Sequence, residues 1–360
     1  MSPQTIAVKI LFISRPDNFS QPGGDSIHLD YTIRYLRKLG VECDIWRGEN
    51  IAVQEYDLLH FFNISRPSAI LPLLKSKHPP LICSSIYIDY QKSDLYGNKY
   101  RKFISNGLGP HAMEYLKTLA RSFKFKTEKL PLSYVMEGQA ASIQEVLNHC
   151  SHLIGASEAE LEIIAQDFDI DSLKKSVIPL GIEHLPPIKY IVEKKGVICV
   201  ARLEPLKNQL RIIEACQLIN QPLKLVGKHS RAHLSYYEAC KEAASPSVTF
   251  YGHKNHEETA VFMAKSKVHV LASHYETTGL ASLEALAAGC QIVVNEHPIQ
   301  KEIFGDRAHY CHSHSPESIA EAIRAASEDI RDHRSWAEEK FSWKKKALAL
   351  QKIYAQVLST

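Results

Sequence analysis

The stretch from Val268 to Val294, VHVLASHYETTGLASLEALAAGCQIVV, constrains the fold of this chain more than any other part of it. Two short apolar runs, 268–272 and 291–294, predict buried strands at its two ends. Between them, the Ala- and Leu-rich segment 281–288 predicts a helix, which Gly289 ends at a C-cap position. A strand, a helix and a second strand form a βαβ unit, so we expect the two strands to be parallel and buried.

The turn that leads into this helix combines two carboxylates with an anion-binding backbone. Glu276 lies just past the first strand, Thr278, Gly279 and Leu280 open the helix, and Glu284 follows on it. A helix start offers unpaired backbone N–H groups and partial positive charge, which together bind anions. Gly279 has no Cβ, so the backbone there can approach a ligand closely. A ligand with hydroxyls at both ends and phosphates in the middle suits this arrangement, and a nucleotide-sugar has that layout.

Glu276 and Glu284, followed by Ala-Leu-Ala-Ala-Gly, resemble the signature of retaining glycosyltransferases of the GT-B fold. The most similar group is glycosyltransferase family four, the mannosyl-, glucosyl- and galactosyl-transferases related to glycogen synthases. Ser273 matches that signature, whereas Ala272 replaces its usual proline and Thr278 stands where phenylalanine is common. An ordinary buried βαβ unit with two surface glutamates is the alternative. A glutamate pair alone would favour that alternative, but the combined pattern favours the functional interpretation.

A second motif, upstream of the first, resembles the same family. The strand predicted at 196–202 runs into the segment RLEPLKN, which matches the family's G-R-L-x-x-x-K-G/N with Ala201 replacing the first glycine. The resemblance places Arg202 and Lys207 on the donor diphosphate, where Arg can make paired hydrogen bonds and Lys adds a mobile charge. Both would stabilise the charge on a departing nucleoside diphosphate without a metal ion. In isolation, an Arg-x4-Lys spacing is typical of a solvated loop.

Composition bounds the domain count and the kinds of partner. The 360 residues suffice for two domains with separate cores, and 45% apolar and 23% charged residues are ordinary for globular proteins. A net charge of +3 is too small to indicate a nucleic-acid partner by itself. The amino terminus lacks the features of a signal peptide, and no apolar stretch is as long as a transmembrane helix. We therefore expect a cytoplasmic protein and leave peripheral contact with the inner face of the membrane open.

Cysteines and histidines show no spacing that is typical of a metal site. The eight cysteines are scattered without a CxxC pair, and several lie in apolar runs, so we expect buried thiols in a reducing compartment. No metal and no cofactor are therefore expected. His274, two residues before Glu276, is the histidine best placed to contact a ligand.

The amino-terminal half begins with another βαβ pattern. Residues 9–14 predict the first strand, Gly23 and Gly24 form a turn, and periodic apolar residues predict a helix with Asp25 or Ser26 as N-cap. The turn resembles the family's glycine loop, where the backbone passes close to donor and acceptor. The resemblance assigns Gly24 to the donor and Gly23 to the acceptor side. A plain tight turn is the alternative, because two glycines do not make a GxGxxG fingerprint.

The strand and exit loop predicted at 81–90 depart from the family. Many relatives place a histidine after this strand, close to the transferred sugar, and this segment has none. Its polar residues are Tyr87, Asp89 and Tyr90. We assign Asp89 as an acceptor contact, with the cap of a strand end as the alternative, and the general base stays unassigned.

Residues 99–129 are strongly basic, with eight Lys and Arg against two Glu, and aromatic residues lie between them. A basic amphipathic surface can lie on anionic lipid or hold an anionic, lipid-linked acceptor. The alternative is a solvated helical insertion that packs its aromatic rings onto the domain. This alternative is slightly favoured, because scattered basic residues are common on surface helices.

Pro186-Pro187 forms a stiff linker, and it provides the predicted domain boundary and hinge. An amino-terminal, acceptor-side Rossmann-like domain is expected over 1–186, with a carboxyl-terminal helix at 342–360 crossing back onto it. A nucleotide-sugar-binding Rossmann-like domain is expected over 187–341. The resemblance implies the α/β GT-B fold, in which two such domains face each other across a cleft.

The resemblance implies transfer of a hexose from a UDP- or GDP-linked sugar to a carbohydrate acceptor, in cell-surface glycan synthesis. Arg202, Lys207 and Glu276 would act in catalysis, with Glu276 orienting the sugar hydroxyls. The implied donor-binding residues are Gly24, Thr278, Gly279, Leu280 and Glu284. Two alternatives stay open: a nucleotide-sugar 2-epimerase, and a non-catalytic nucleotide-sugar-binding or scaffold subunit.

Overall fold

A computed structural model describes residues 8–15, 18, 23–49, 51–87, 110–125, 130–183 and 193–359. These residues fall into two units. The first contains the described residues up to 87, those from 110 to 181 and those from 343 onward, and the second contains those between 182 and 342. The predicted linker Pro186-Pro187 and the predicted acceptor contact Asp89 lie outside the described residues.

The first unit is built on a parallel six-stranded sheet with the order β2-β1-β3-β4-β5-β6. Its strands are β1 (Lys9–Ile13), β2 (Glu42–Ile45), β3 (Leu58–Phe62), β4 (Leu81–Ser84), β5 (Cys150–Gly155) and β6 (Lys174–Val177). Its helices are α1 (Gly24–Lys38), α2 (Leu71–Leu74), α3 (Pro110–Phe125), α4 (Leu132–Asn148), α5 (Glu158–Asp167) and α13 (Trp343–Leu358). All neighbouring strands pair in parallel, as a series of βαβ connections requires.

The core of the first unit lies on both faces of this sheet. Leu11 and Ile13 of β1 belong to one apolar cluster, while Ile10 and Phe12 belong to the other. Successive side chains of a strand point to opposite faces, so a continuous apolar run is what a sheet covered on both sides needs. The second cluster also contains Leu350 and other residues of α13, which packs beside α1. The carboxyl-terminal helix thus joins the first unit, as expected from the sequence.

The predicted N-cap of α1 is wrong. Helix α1 begins at Gly24, and its N-cap is Gly23 rather than Asp25 or Ser26. Ser26 lies one turn inside, where its hydroxyl accepts a 3.0 Å hydrogen bond from the Gly23 N–H. Asp25 also lies in the first turn and forms an ion pair with Arg15, 2.5 Å between Oδ2 and Nε. The helix therefore starts earlier because its first-turn side chains are engaged with the chain before it.

The second unit has its own parallel six-stranded sheet, with the order β12-β11-β10-β7-β8-β9. Its strands are β7 (Val197–Val200), β8 (Leu223–Val226), β9 (Val248–Gly252), β10 (Val268–Leu271), β11 (Gln291–Asn295) and β12 (His309–Cys311). Its helices are α6 (Gln209–Leu218), α7 (Leu234–Ala243), α8 (His256–Ala264), α9 (Leu280–Ala287), α10 (Pro298–Phe304), α11 (Pro316–Glu328) and α12 (Arg334–Lys340).

The βαβ unit predicted at 268–294 is confirmed. Strands β10 and β11 pair in parallel, with Val268 opposite Gln291, and α9 connects them. Every residue of β10 is buried, as expected for a strand in the middle of a covered sheet. Gly289 follows the C-cap with a φ of +78°, the left-handed conformation that commonly ends a helix.

All eight cysteines are buried free thiols, which confirms the prediction from their apolar surroundings. Burial raises the pKa of several of them, including Cys216 and Cys311 to about 12, so these thiols stay protonated and unreactive. Among the described residues, no group of His, Cys, Asp and Glu side chains is arranged to hold a metal ion.

Gly227 directly follows β8, and its N–H donates to the carbonyl of Gly252, the last residue of β9, at 2.8 Å. We expect Gly227→Ala to destabilise the second unit by about 2–3 kcal/mol. Its φ is +147°, and a Cβ built there would lie 1.9 Å from the carbonyl oxygen of Ala201. Urea unfolding would measure the loss. Gly252→Ala is the matched control, since Gly252 also has a positive φ but nothing within 4 Å of its Cβ position. Equal losses for both variants would contradict the contact argument.

Candidate functional site

The strand order of the second unit brings the two sequence motifs to one edge of one sheet. β7 and β10 are hydrogen-bonded neighbours, with Val197 opposite Val268. Both strands run in the same direction, so the segments that follow them, 201–208 and 272–280, leave the same edge. Ligands of open α/β sheets bind outside the carboxyl ends of the strands, which is this edge.

Two hydrogen bonds tie these two segments together, and a third ties Asn208 to the segment that follows β12. Asn208 has a left-handed backbone conformation, with φ 60° and ψ 34°. Its side-chain amide donates to the carbonyl of Ala272 at 3.0 Å and to that of Ser313 at 2.6 Å. The His274 N–H donates to the carbonyl of Leu206 at 2.9 Å. The segment before Asn208 is therefore fixed against the segment that contains Glu276.

Lys207 and Glu276 form the central ion pair of this edge. The Lys207 Nζ lies 2.5 Å from Glu276 Oε1, and both side chains are mostly buried, with 16% and 14% of their surface exposed. The Ser273 hydroxyl donates to the same carboxylate oxygen at 2.8 Å. A lysine on the first motif thus meets a glutamate on the second. The arrangement places one mobile positive charge and one acceptor of hydroxyl hydrogen bonds side by side.

Arg202 extends from the same edge and contacts a different carboxylate. Its Nη2 lies 3.0 Å from Glu204 Oε1, but that oxygen accepts no well-aligned hydrogen bond, so the contact is a charge–charge one. Arg202 is 60% exposed, whereas the Glu204 side chain is 8% exposed. His233 Nδ1 lies 3.7 Å from the other oxygen of Glu204. An exposed guanidinium beside a buried carboxylate is available to an anionic ligand.

Helix α9 begins directly after Gly279, where the sequence predicts an anion-binding backbone. Gly279 is its N-cap, with φ 72° and ψ 58°, a conformation that glycine adopts without strain. The N–H groups of Leu280 and Ala281 have no acceptor within the helix itself, whereas those of Ser282 and Leu283 donate to the Gly279 carbonyl at 2.8 and 3.2 Å. At the other end, the Lys194 ammonium donates to the carbonyls of Ala288 and Gly289 at 2.8 and 2.5 Å. A cation at this C-terminus complements the helix dipole and fixes the helix in place.

Several buried polar atoms around Gly279 have no hydrogen-bond partner within the described part of the chain. They are Thr278 Oγ1, Ser282 Oγ and both amide atoms of Gln300. A Cβ at Gly279 would lie 3.4 Å from Gln300 Oε1, so the amide lies directly beside the N-cap. A buried unpaired polar group costs about 1–3 kcal/mol, and such groups are common where a ligand or water completes the structure.

Glu284 projects from α9 towards a residue of the neighbouring helix. Its Oε1 lies 3.2 Å from His256 Nε2, and the Glu284 side chain is 15% exposed. The hydrogen bond to Glu284 raises the pKa of His256 above its ordinary value, against the opposing effect of burial. The structure thus pairs Glu284, a predicted donor-binding residue, with a histidine that the motifs do not include.

His274 is held in a neutral form beside the site. Its ring stacks on that of His314, with centroids 5.0 Å apart, and its Nδ1 lies 3.2 Å from the Ser313 hydroxyl. Burial, with smaller contributions from His314 and Arg211, lowers its pKa to about 4. Its backbone N–H fixes the segment before Glu276, so its main contribution here is structural.

In the first unit, Gly23 and Gly24 lie where β1 leads into α1, as predicted. The Arg15 guanidinium, which follows β1, donates two hydrogen bonds to Asp25, from Nε at 2.5 Å and from Nη2 at 3.1 Å. Burial raises the pKa of Asp25, but the hydrogen bonds and charge of Arg15, together with hydrogen bonds from Ser26 and Asn63, leave the pKa below its ordinary value. An ionised Asp25 therefore lies beside the glycine turn, and this pair has no counterpart in the sequence predictions.

Part of the basic segment 99–129 forms helix α3, Pro110–Phe125. Glu114 of this helix is 2% exposed and pairs with Arg66 at 2.5 Å and Arg121 at 2.6 Å. Lys117 lies 3.8 Å from the same carboxylate. Lys117 and Arg121, two of the eight basic residues in the segment 99–129, therefore neutralise a buried glutamate of their own unit. No helix in the described ranges is both long and apolar enough to cross a membrane.

Sequence reasoning missed four residues that organise the site: Glu204, His256, Gln300 and Lys194. Glu204 lies inside the RLEPLKN segment, at a position that the family's motif leaves open. Lys194 and His256 contact α9 and its end from remote parts of the chain, and Gln300 lies beside Gly279. The spacing within the motifs could not have identified them.

Comparison with known proteins shows that the second unit is similar to a family of enzyme domains. Residues 185–343 match the family model of glycosyl transferases group 1. Glycogen synthase of Mycobacterium tuberculosis is 28% identical over 141 residues, which are 37% of this chain and 34% of that protein. This chain thus spans about a third of that relative's length, since 34% of it is matched.

Two further relatives have names that describe glycan assembly. The N-acetylgalactosamine-N,N'-diacetylbacillosaminyl-diphospho-undecaprenol 4-alpha-N-acetylgalactosaminyltransferase of Campylobacter jejuni is 24% identical over 276 residues, 69% of this chain and 70% of that protein. The O-antigen chain mannosyltransferase RfbU of Salmonella typhimurium is 22% identical over 181 residues, 49% of this chain and 51% of that protein.

Solved structures show the fold over nearly the whole chain. Sucrose-phosphate synthase from Thermosynechococcus elongatus superposes with a TM-score of 0.74 at 16% identity, covering 98% of this chain and 99% of that one. Anabaena HepE in complex with UDP and glucose gives a TM-score of 0.68 at 14% identity, covering 97% and 99%. Such identities establish the fold and nothing more. The predicted GT-B fold, with two α/β domains, is confirmed.

Proposed function

We infer that the group 1 glycosyltransferase domain at residues 185–343 binds a nucleoside-diphosphate sugar, and that the chain transfers its hexose to a carbohydrate acceptor. The observation that supports this most directly is the 2.5 Å pair between Lys207 and Glu276, beside the start of α9. A cation, a carboxylate and unpaired helix amides at one sheet edge match the phosphates and hydroxyls of such a donor.

The proposed chemistry relies on stabilising negative charge as the donor bond breaks. Lys207, Arg202 and the first amides of α9 would bind the diphosphate and stabilise it more strongly in the transition state than in the ground state. Glu276 would accept hydrogen bonds from the sugar hydroxyls, with Ser273 fixing its orientation. Glu284 would bind the ribose. Because these groups together supply the positive charge that a metal ion would otherwise provide, we propose metal-independent transfer.

We propose retention of configuration at the anomeric carbon. A double displacement requires a nucleophilic carboxylate beneath that carbon, and we assign none. Glu276 is already held by Lys207 and Ser273, which suits binding rather than attack. We therefore propose attack of the acceptor hydroxyl on the same face as the departing diphosphate, with a phosphate oxygen taking the acceptor proton.

Donor and acceptor classes are proposed from the names of the relatives. Solved neighbours contain UDP and UDP-glucose, and one relative is named a mannosyltransferase, so UDP- and GDP-linked hexoses are the donors to test first. One relative is named for an undecaprenol-linked substrate, which supports a lipid-linked acceptor in cell-surface glycan synthesis. Peripheral membrane contact through the basic segment 99–129, at the inner face of the membrane, is part of this proposal.

A donor screen followed by product analysis tests the function. Thermal shifts with UDP-glucose, UDP-N-acetylglucosamine, UDP-galactose and GDP-mannose identify the donor. Transfer to a panel of free and lipid-linked sugars, with and without EDTA, is then followed by NMR of the anomeric proton. We expect a retained product that EDTA does not suppress. Donor binding without transfer across the panel would favour a non-catalytic subunit, and an epimerised nucleotide-sugar formed without acceptor would favour a 2-epimerase.

A further inference from the structure

We propose that His256 is a positioning residue that holds the Glu284 carboxylate for the donor ribose and makes donor affinity depend on protonation. This inference rests on the proposed function, because it deepens the role of Glu284 in that site. It extends the donor site to α8, a helix that neither motif includes.

The geometry joins two neighbouring helices of the second unit. His256 is the first residue of α8, directly after the N-cap Asn255. Its Nε2 lies 3.2 Å from Glu284 Oε1 on α9, and the two helices pack against each other. The His256 side chain is 40% exposed and the Glu284 side chain 15%, so the pair is open to solvent on one side. One carboxylate oxygen is held by the imidazole while the other can accept hydrogen bonds from ribose hydroxyls.

The placement of His256 is electrostatically unusual. The first turn of a helix disfavours a cation, because the helix dipole is positive there. The hydrogen bond that His256 donates to Glu284 nevertheless raises the pKa of His256, burial opposes it, and the charges of Glu284, Glu183 and Glu257 raise it further. Of the charged groups in the described ranges, these three glutamates have the largest effects on the imidazole. The cationic form is therefore stabilised by the carboxylate that binds the donor.

Protonation of His256 changes donor binding in a definite direction. A nucleotide-sugar has a negatively charged diphosphate whose charge does not change between acidic and mildly alkaline pH. An added positive charge at the site attracts that anion and strengthens the hydrogen bond that orients Glu284. Donor affinity should therefore be higher below the pKa of His256 and fall as pH rises through it. By linkage, the bound donor strengthens proton binding to His256 by the same factor, so the pKa of His256 rises by the logarithm of that factor.

The test measures donor dissociation constants and His256 titration together. Calorimetry with intact UDP-glucose and GDP-mannose between pH 5.5 and 8.5 gives the affinity profile. Free UDP is avoided, since its terminal phosphate titrates in the same range. We expect the dissociation constant to rise about tenfold across this range, which corresponds to one pKa unit of coupling. NMR of the imidazole should show the pKa of His256 rising when the donor binds.

Matched variants separate positioning from a merely structural contact. H256Q keeps a hydrogen-bond donor but cannot gain a proton, so it should bind the donor with little pH dependence and resemble the wild type at alkaline pH. H256A should bind more weakly at every pH. H312Q is the control, because His312 also contacts a glutamate, with Nδ1 3.5 Å from Glu296 Oε2, but it is 72% exposed.

The outcomes distinguish this inference from the proposed function. A flat profile in H256Q, with the wild-type profile kept in H312Q, supports the inference. If E284Q weakens donor binding but the H256Q profile matches that of the wild type, the inference is overturned and the proposed function stands. If E284Q leaves donor affinity unchanged while transfer is intact, Glu284 does not bind ribose and the inference is overturned with that assignment.

Discussion

Lys207→Met is expected to lower the catalytic efficiency of sugar transfer by about 10²–10³-fold, the usual cost of losing one preorganised group that stabilises charge in the transition state. The variant removes the ammonium 2.5 Å from Glu276 and leaves that carboxylate with the Ser273 hydroxyl. In the proposed mechanism, Arg202 and the α9 amides alone would then stabilise charge on the departing diphosphate. The effect should fall mainly on turnover, because the charge is fully developed only as the bond breaks.

Two control variants make this prediction specific. Lys195 also pairs with a glutamate, 2.8 Å from Glu193, but it precedes β7 and so lies at the opposite edge of the sheet. Lys195→Met should therefore retain wild-type turnover. Lys207→Arg keeps the charge with a different geometry and should recover part of the lost rate. Steady-state kinetics with saturating donor measures all three, and a Lys207→Met enzyme that keeps a third or more of the wild-type rate would show that Lys207 does not act on the diphosphate.

Acidification is expected to destabilise both units through buried neutral histidines. Burial lowers the pKa of His28 and His60 well below 6.5 in the first unit, with a further contribution from Lys346. Burial also lowers the pKa of His269 to about 3 in the second unit. The Nδ1 atom of His60 lies 2.7 Å from the Tyr354 hydroxyl, in hydrogen-bond contact, so the ring is fixed in the core.

The sign follows from comparing proton binding in the two states. The unfolded chain protonates each histidine near pH 6.5, while the folded chain does not until a much lower pH. The free energy of unfolding therefore falls as pH drops below 6.5, by about 1.4 kcal/mol per pH unit for each histidine. For His269 the fall continues to about pH 3. The first unit, in which His28 and His60 are both buried, should lose about 3 kcal/mol per pH unit as the pH begins to fall below 6.5.

Hydrogen–deuterium exchange, corrected for intrinsic rates, measures the pH dependence of the unfolding free energy separately in each unit. Amides of β3 report on the first unit and amides of β10 on the second. His269→Leu loses the 3.4 Å hydrogen bond that the Val200 N–H donates to Nε2, so it should be less stable at neutral pH. The slope of its unfolding free energy against pH should nevertheless be smaller, by the amount that corresponds to one bound proton. An exposed control, His312→Leu, should leave the slope unchanged, and an unaltered slope in His269→Leu would contradict the burial argument.

The sequence by itself determined the secondary structure around the site. Strand and helix patterns have periods of two and 3.6 residues, so a short window such as 268–294 is sufficient to define β10, α9 and β11. Gly279 and Gly289 mark the two ends of α9 because each needs a left-handed backbone. The N-cap of α1 was placed wrongly because Arg15, across the turn, engages the first helical turn in a way that local capping preferences do not show.

Only the tertiary structure decided which side chains meet. Lys207 and Glu276 become neighbours because β10 pairs with β7 on the side away from β11, and strand order is not a local property. The same reason applies to His256 with Glu284, which depends on how α8 packs beside α9. A charged group is stabilised by whatever lies within a few ångströms of it, regardless of separation along the chain. The motifs therefore identified the chemical groups, whereas the order of the strands brought them to one edge of the sheet.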